Sequence, residues 1–227
     1  MGRPKEKMQT QSSDVRLHIG PSAEGAWHQV ILPWFKSIGL TACHSNQSVA
    51  VVVPHPARAQ YLRQLLLEPR LSLLGVTFLS PPQLREILLG PEIKLPLREH
   101  LRLLLTIAAE QQIGENNSTH EEMIAAESVR RAPDHLLRTI DELHSAGWTF
   151  GEAGPPSFRR LVSRFEQLVS GCGFTSIQHA NRLALARARS EEKVFSNLLI
   201  SGFDGAHWPL WPLLQAAVDA SEKSTVL

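Results

Sequence analysis

The residues Gly20-Pro21-Ser22-Ala23-Glu24-Gly25-Ala26-Trp27 set two glycines at the spacing of a phosphate-binding loop, G-x-x-x-x-G-K-[ST]. Glycine at both positions lets backbone N–H groups curl around an anion. The rest of the chemistry is missing. Ala26 stands at the lysine position, so no cation meets the β- and γ-phosphates. Trp27 stands at the Ser/Thr position, so no hydroxyl holds magnesium. The same glycines also fit a plain strand-to-helix turn. A divergent ATPase or kinase would need a lysine nearby to stand in. Lys36 is the one close in sequence, a helical turn or more beyond Trp27 and past Pro33.

A second chemistry is suggested by charge. From Arg130 to Arg189 the chain has nine arginines and no lysine against five acids. The planar guanidinium fork suits phosphate because it donates two hydrogen bonds at once. Arg159, Arg160 and Arg164 fall on one helical side and are candidate DNA contacts. His55 is another, and a solvated helical face is the competing account of the arginines. Other chemistries find little support. Asp141 and Glu142 are adjacent on a helix and face different ways, so they form no carboxylate pair. The ten histidines lack zinc-ligand spacing. Cys43 and Cys172 form no C-x-x-C pair, and Cys172 sits in a glycine-flanked loop. Trp208 and Trp211 flank Pro209 and are expected to pack under the last helix, with base stacking as the alternative.

The elements that must position these residues alternate. Val15 to Ile19 reads as a strand, Gly20 to Gly25 as a turn, and Ala26 to Ile38 as a helix kinked by Pro33. Val49 to Val53 is a Val/Ala run that fits a strand buried on both faces of a parallel sheet. Ala57 to Leu67 reads as a helix, Gly75 to Leu79 as a strand, and Ser80 with Pro81 and Pro82 as the start of the next helix. That order implies crossovers and a parallel sheet. The pattern then turns all-helical from about Leu97 to Arg189, broken at Gly114 to Thr119 and at Gly151 to Pro156. A strand returns at Asn197 to Gly202, then a helix from about Pro209 to Ala220, and Ser224 to Leu227 reads as the opening of another strand. The expected division is a loose tail at 1–14, an α/β core from 15–90 and 196–227 that stops inside a strand, and a helical insertion at 91–195.

Taken in order, these segments resemble the first lobe of AddB- and RexB-like subunits (RecC-like among them) of bacterial helicase–nucleases. Val49 to Pro54, followed by His55, resembles the second strand of superfamily I helicases, whose end touches DNA. Gly75-Val76-Thr77-Phe78 resembles their later G-T-F segment. Leu198 to Asp204 resembles the Walker B strand, with Ser201 where the acid belongs and Asp204 three residues too late to reach the same place. The resemblance implies a P-loop NTPase-like parallel sheet (helicase 1A-like) carrying an all-helical inserted subdomain (1B-like). With lysine, hydroxyl and acid all absent, it implies a retired ATP site that needs no cofactor. It also implies a scaffold and DNA-handling role in double-strand-break repair, beside an active AddA-like helicase subunit and single-stranded DNA. The nuclease centre of such subunits lies far towards the C-terminus, and nothing in these 227 residues supplies it. A protein-interaction module without DNA is the remaining alternative.

Composition sets the bounds. Hydrophobic residues make up 43% of the chain, a globular value, and the formal net charge of +1 makes no global demand for a nucleic-acid partner. Two cysteines without a disulfide framework, and no apolar stretch long enough for a leader or a membrane span, lead us to expect a cytoplasmic protein.

Overall fold

The computed structural model describes residues 14–19, 22–38, 48–71, 73–190 and 193–227. Gly20, Pro21, Cys43 and the expected tail up to residue 13 lie outside the described residues. The fold is mixed α/β. Its sheet has five strands: β1 (Asp14–Leu17), β2 (Val49–Val52), β3 (Val76–Leu79), β4 (Phe195–Ile200) and β5 (Ser221–Val226). All are parallel, in the order β1-β5-β4-β2-β3. Parallel strands need crossover connections, and the chain supplies helices for them. These are α1 (Ala23–Ala26) and α2 (Leu32–Ile38) after β1, α3 (Pro56–Leu67) after β2, and α4 (Pro81–Leu89) after β3. Between α4 and β4 come α5 (Arg98–Ile113), α6 (His120–Arg131), α7 (Pro133–Ser145), α8 (Phe150–Ala153), α9 (Pro156–Gly171) and α10 (Ile177–Ser190). A 3₁₀ segment, Gly205–Leu210, and α11 (Trp211–Asp219) join β4 to β5.

Local sequence explains several boundaries. Pro33 has no N–H to return to the Gln29 carbonyl. The helix absorbs this with a π turn at Trp27–Ile31, in which Leu32 N–H reaches back five residues to the Trp27 carbonyl. The kink expected at Pro33 therefore takes the form of a widened turn. Ser80 behaves differently from the cap expected of it. Its hydroxyl donates to Gln83 Oε1 at 2.8 Å, and its backbone N–H donates to the same oxygen at 2.9 Å. Strand β5 begins at Ser221, three residues ahead of its expected start, because backbone pairing with β1 and β4 on both sides outweighs the polar Glu222 and Lys223.

The chain divides into two compact units. The first holds the sheet, from the described residues up to Leu84, Ala188–Phe203 and Leu214–Leu227. Its core joins Ile31 and Phe35 to Val51 within β2 and Val53 just after it, Leu62 and Leu66 of α3, Phe78 and Leu199. Each fully buried leucine here contributes about 2 kcal/mol of apolar transfer. The second unit comprises Arg85–Arg187 together with Asp204–Leu213, so the segment carrying Trp208 and Trp211 groups with the helices. Its core is the apolar stripe Leu104, Leu105, Ala108 and Ala109 of α5, closed by Leu137 and Ile140 of α7 and by Leu161, Val162 and Phe165 of α9.

Ion pairs clamp this helical unit. Asp134 accepts from Arg102 Nε at 2.9 and 3.0 Å and from Arg98 Nε at 3.4 Å, while Arg98 Nη1 reaches Asp141 at 2.8 Å. The Arg102 hydrogen bond holds the Asp134 carboxyl below its usual value of 3.8. A depressed folded pKa contributes stability above the unfolded value, and that contribution is lost as pH falls through the folded one. Asp134→Asn should therefore lower the urea midpoint at pH 7. The difference from wild type should shrink as pH drops below about 3.8. Urea melts across that range test it, and a gap that stays constant down to low pH would assign the effect to something other than the charge.

Candidate functional site

In an open parallel sheet, ligands bind outside the carboxyl ends of the strands, where the chain's direction of travel reverses. Strand β2 leads outward to β3, whereas its neighbour β4 leads the other way to β5. The reversal therefore lies between β2 and β4, whose ends pair as Val52 with Ile200. Beyond them lie Val53, Pro54 and His55 on one side, and Ser201 and Gly202 on the other.

Arg58 occupies this reversal point. It sits in the first turn of α3, and its backbone N–H returns to the His55 carbonyl at 3.0 Å. Its guanidinium lies 5.2 Å from the Tyr61 ring centroid, a cation–π contact. Its Nε is buried with no hydrogen-bond partner. A methyl built on Gly202 would come within 3.3 Å of that Nε and 3.5 Å of Pro54 Cδ. Gly202 has φ +89°, a backbone that glycine adopts freely and other residues resist. The glycine thus provides both the bend after β4 and the room for the Arg58 side chain. His55 is exposed at the N-cap position, and its side chain makes no capping bond. Among the described residues neither His55 nor Arg58 forms an ion pair. A cation, an aromatic and an α-helix N-terminus converging at a switch point suit an oxyanion. Sequence reading singled out His55 and missed Arg58, whose meaning depends on the β2–β4 pairing.

In the described part of the glycine loop, from Ser22 onward, backbone donors are already taken. Ser22 N-caps α1, and its Oγ accepts the Gly25 N–H at 3.1 Å. The Ala26 N–H returns to the Ser22 carbonyl at 3.1 Å. Two N–H groups that an anion would need are thereby satisfied within the turn. Trp27 packs against the core cluster of Ile31, Phe35, Val53 and Leu199, so its indole belongs to the fold. Glu24 adds an exposed negative charge in the first turn. Lys36 lies eleven residues beyond Gly25, about 16 Å along a helix at 1.5 Å per residue, and cannot replace the missing cation. Ser201 is 2% exposed, with its N–H on the Val52 carbonyl at 3.0 Å. The residues at the loop and at the end of β4 do not fit Mg-ATP.

The remaining candidates are committed to partners inside the helical unit. Asp204 Oδ1 accepts from Ala206 N at 2.9 Å and lies 2.7 Å from His207 Nδ1. The His207 contact is the first cause holding its carboxyl below the ordinary range. Arg159 Nε donates to the Gly154 carbonyl at 3.2 Å. Arg160 Nη2 lies 2.7 Å from Glu115 Oε2 and 3.1 Å from Asn117 Oδ1, and Arg164 Nη2 pairs with Glu115 Oε1. Arg160 and Arg164 fasten the 114–119 loop to α9, and all three arginines would have to leave those partners to meet phosphate. Trp208 and Trp211 depart from their expected burial. They are 40% and 57% exposed, because the 3₁₀ turn around Pro209 carries both rings outward. A cavity of about 470 Å³ also opens in this unit beside Leu137, Phe165, Phe174 and the His144–Glu166 pair, 3.4 Å apart.

No family model and no curated protein matches the chain. Among the described residues no group of three His, Cys, Asp or Glu could hold a metal ion, and no helix is long and apolar enough to cross a membrane.

Proposed function

We propose that this chain is a non-catalytic, helicase-like lobe that handles single-stranded DNA within a cytoplasmic double-strand-break repair helicase–nuclease, in the manner of AddB-like subunits. The observation that carries the reading is Arg58, a cation without an ion-pair partner at the reversal point between β2 and β4. The closed Ser22–Gly25 turn and the packed Trp27 support the loss of ATP chemistry. A parallel sheet in one unit and an all-helical second unit inserted in its sequence support a 1A-like lobe with a 1B-like insertion. An AddA-like subunit is the active helicase partner in this reading.

Phosphate contact predicts a salt-dependent affinity that ignores base sequence. Binding of an oligothymidine by the complete subunit should weaken steeply between low and physiological salt. Arg58→Ala should lower affinity about tenfold and reduce the salt slope by about 0.7, the value for one phosphate contact on a single strand. Arg159, Arg160 and Arg164 replaced together by Ala form the comparison. A larger loss there than at Arg58 would move the interface to α9. No salt-dependent binding at all would leave a protein-interaction module.

A further inference from the structure

Arg85 is an arginine that this reading does not use. It lies on α4 and is 6% exposed, on a helix face otherwise made of Leu84, Leu88 and Leu89. Its Nε donates to Asn181 Oδ1 of α10 at 2.7 Å, and Asn181 is itself buried. Asn181 is neutral. Among the described residues no carboxylate pairs with Arg85. Two other arginines of the helical unit, Arg187 on α10 and Arg164 on α9, differ in this respect. Arg187 reaches Glu92 at 3.8 Å and also bonds the Leu89 carbonyl, and Arg164 pairs with Glu115.

A guanidinium cannot shed its proton as a buried lysine does, so a buried arginine without a counter-charge carries an uncompensated desolvation penalty. The direction of its pKa agrees, since burial lowers it from the ordinary arginine value. Neither Nη nitrogen is sealed from solvent, in contrast to Arg58 Nε and Arg164 Nη1. The small surface that Arg85 keeps therefore includes its Nη donors, while its Nε is fixed by Asn181. A fixed fork whose remaining donors stay in touch with solvent can take a single oxyanion.

We infer that Arg85 is an anion-binding residue that takes one phosphate group through its Nη donors, with Asn181 as the residue that orients it. The phosphate is either the free ion or a phosphodiester of a nucleic-acid strand, which present the same oxygens. The site is separate from the Arg58 crevice, and its test does not depend on the DNA-handling reading.

The experiment is thermal unfolding of the full chain at constant ionic strength, with sodium phosphate or a short oligothymidine replacing chloride. Wild type should gain on the order of 3 °C or more as the anion saturates the site. Arg85→Met should unfold at or above the wild-type temperature without phosphate, because a buried lone charge has been removed, and should gain nothing from phosphate. Arg85→Lys retains the charge without the fork and should respond less than wild type. A response to phosphate alone identifies the free ion, and a response to the oligothymidine at equal phosphate content identifies the strand. Equal gains in wild type and Arg85→Met would be a general salt effect on the folded state and would overturn the assignment. Absence of any gain in wild type would overturn it as well, as would an Arg85→Met chain that is less stable yet keeps the phosphate response.

Discussion

Titration of the subunit with Mg-ATP should give no binding at the Ser22–Gly25 turn, and rebuilding the motif should destabilise the fold before it returns any affinity. A working loop needs free N–H groups, a lysine and a hydroxyl on magnesium. Here Ser22 Oγ already holds the Gly25 N–H, so an incoming phosphate must first displace an internal hydrogen bond. Adding the cation through Ala26→Lys leaves the indole of Trp27 where the metal-binding hydroxyl belongs. Removing the indole through Trp27→Thr opens a void beside Phe35 and Val53. That substitution should cost about 2–4 kcal/mol, somewhat less than the roughly 3–5 kcal/mol of a fully buried aromatic truncation, because Trp27 is only partly buried. Urea melts of Trp27→Thr and calorimetry of the doubly substituted chain measure the two halves. Micromolar Mg-ATP binding by wild type would show a living site. So would turnover that is lost on changing Gly25, with the partner helicase's own loop lysine removed. Either result makes the divergent ATPase the better reading.

The contrast between Trp27 and Arg58 shows where sequence reading succeeds in this protein. Strands β2 and β4 were legible because Val49-Ala50-Val51-Val52 and Leu198-Leu199-Ile200 are buried on both faces, and such strands write their burial into residue type. The absence of lysine, hydroxyl and acid was equally plain, since a missing functional group needs no coordinates. The fate of Trp27 was not, because an indole at a motif position looks the same whether it blocks a ligand or fills a core. Arg58 was invisible for a topological reason. Its significance comes from Gly202, brought beside it when β4 inserts between β2 and β5.

The helical unit repeats the lesson with charges. The run Arg159, Arg160, Arg164 was readable as a cationic face, but its answering acid, Glu115, lies 49 residues from Arg164 in a polar loop. Helix α6 carries a full capping box, with Thr119 Oγ1 accepting from Glu122 N at 3.2 Å and Glu122 Oε2 accepting from Thr119 N at 2.8 Å. That signature was present in the sequence as T-x-x-E, with its Thr119 falling inside the break expected at Gly114 to Thr119. Trp208 and Trp211 erred in the opposite direction. Their residue type favours burial, yet Trp208 lies in the 3₁₀ segment and Trp211 at the start of α11, where both stay exposed. Their exposure is what base stacking would require of them.

A large effect on stability is also expected from the smallest change, Gly154→Ala. Gly154 ends α8 with φ −76° and ψ 153°, an extended conformation open to any residue, so backbone strain is not the reason. The reason is the neighbour. A Cβ at this position would lie 2.3 Å from two carbons of the Phe150 ring and 2.5 Å from the Phe150 carbonyl oxygen. Phe150 is 2% exposed and belongs to the core of Leu137, Leu161 and Phe165. A cavity of about 310 Å³ between Phe150, Leu136 and Phe158 gives the ring one direction to move, but doing so takes it out of its core contacts, and the carbonyl already accepts the Gly154 N–H at 2.8 Å. The methyl must therefore expel the ring from the core or unwind the α8 turn, and Arg159 would lose the Gly154 carbonyl as that turn shifts. The loss should reach about 3 kcal/mol, the upper end of the usual overpacking range. Gly171→Ala is the matched control, because nothing lies within 4 Å of a methyl placed there. Urea unfolding of both variants decides the matter: a large drop in midpoint for Gly154→Ala beside a nearly unchanged Gly171→Ala supports the packing argument. A tolerated alanine at 154 would mean that Phe150 has an alternative rotamer and that the helical core is looser than its contacts imply.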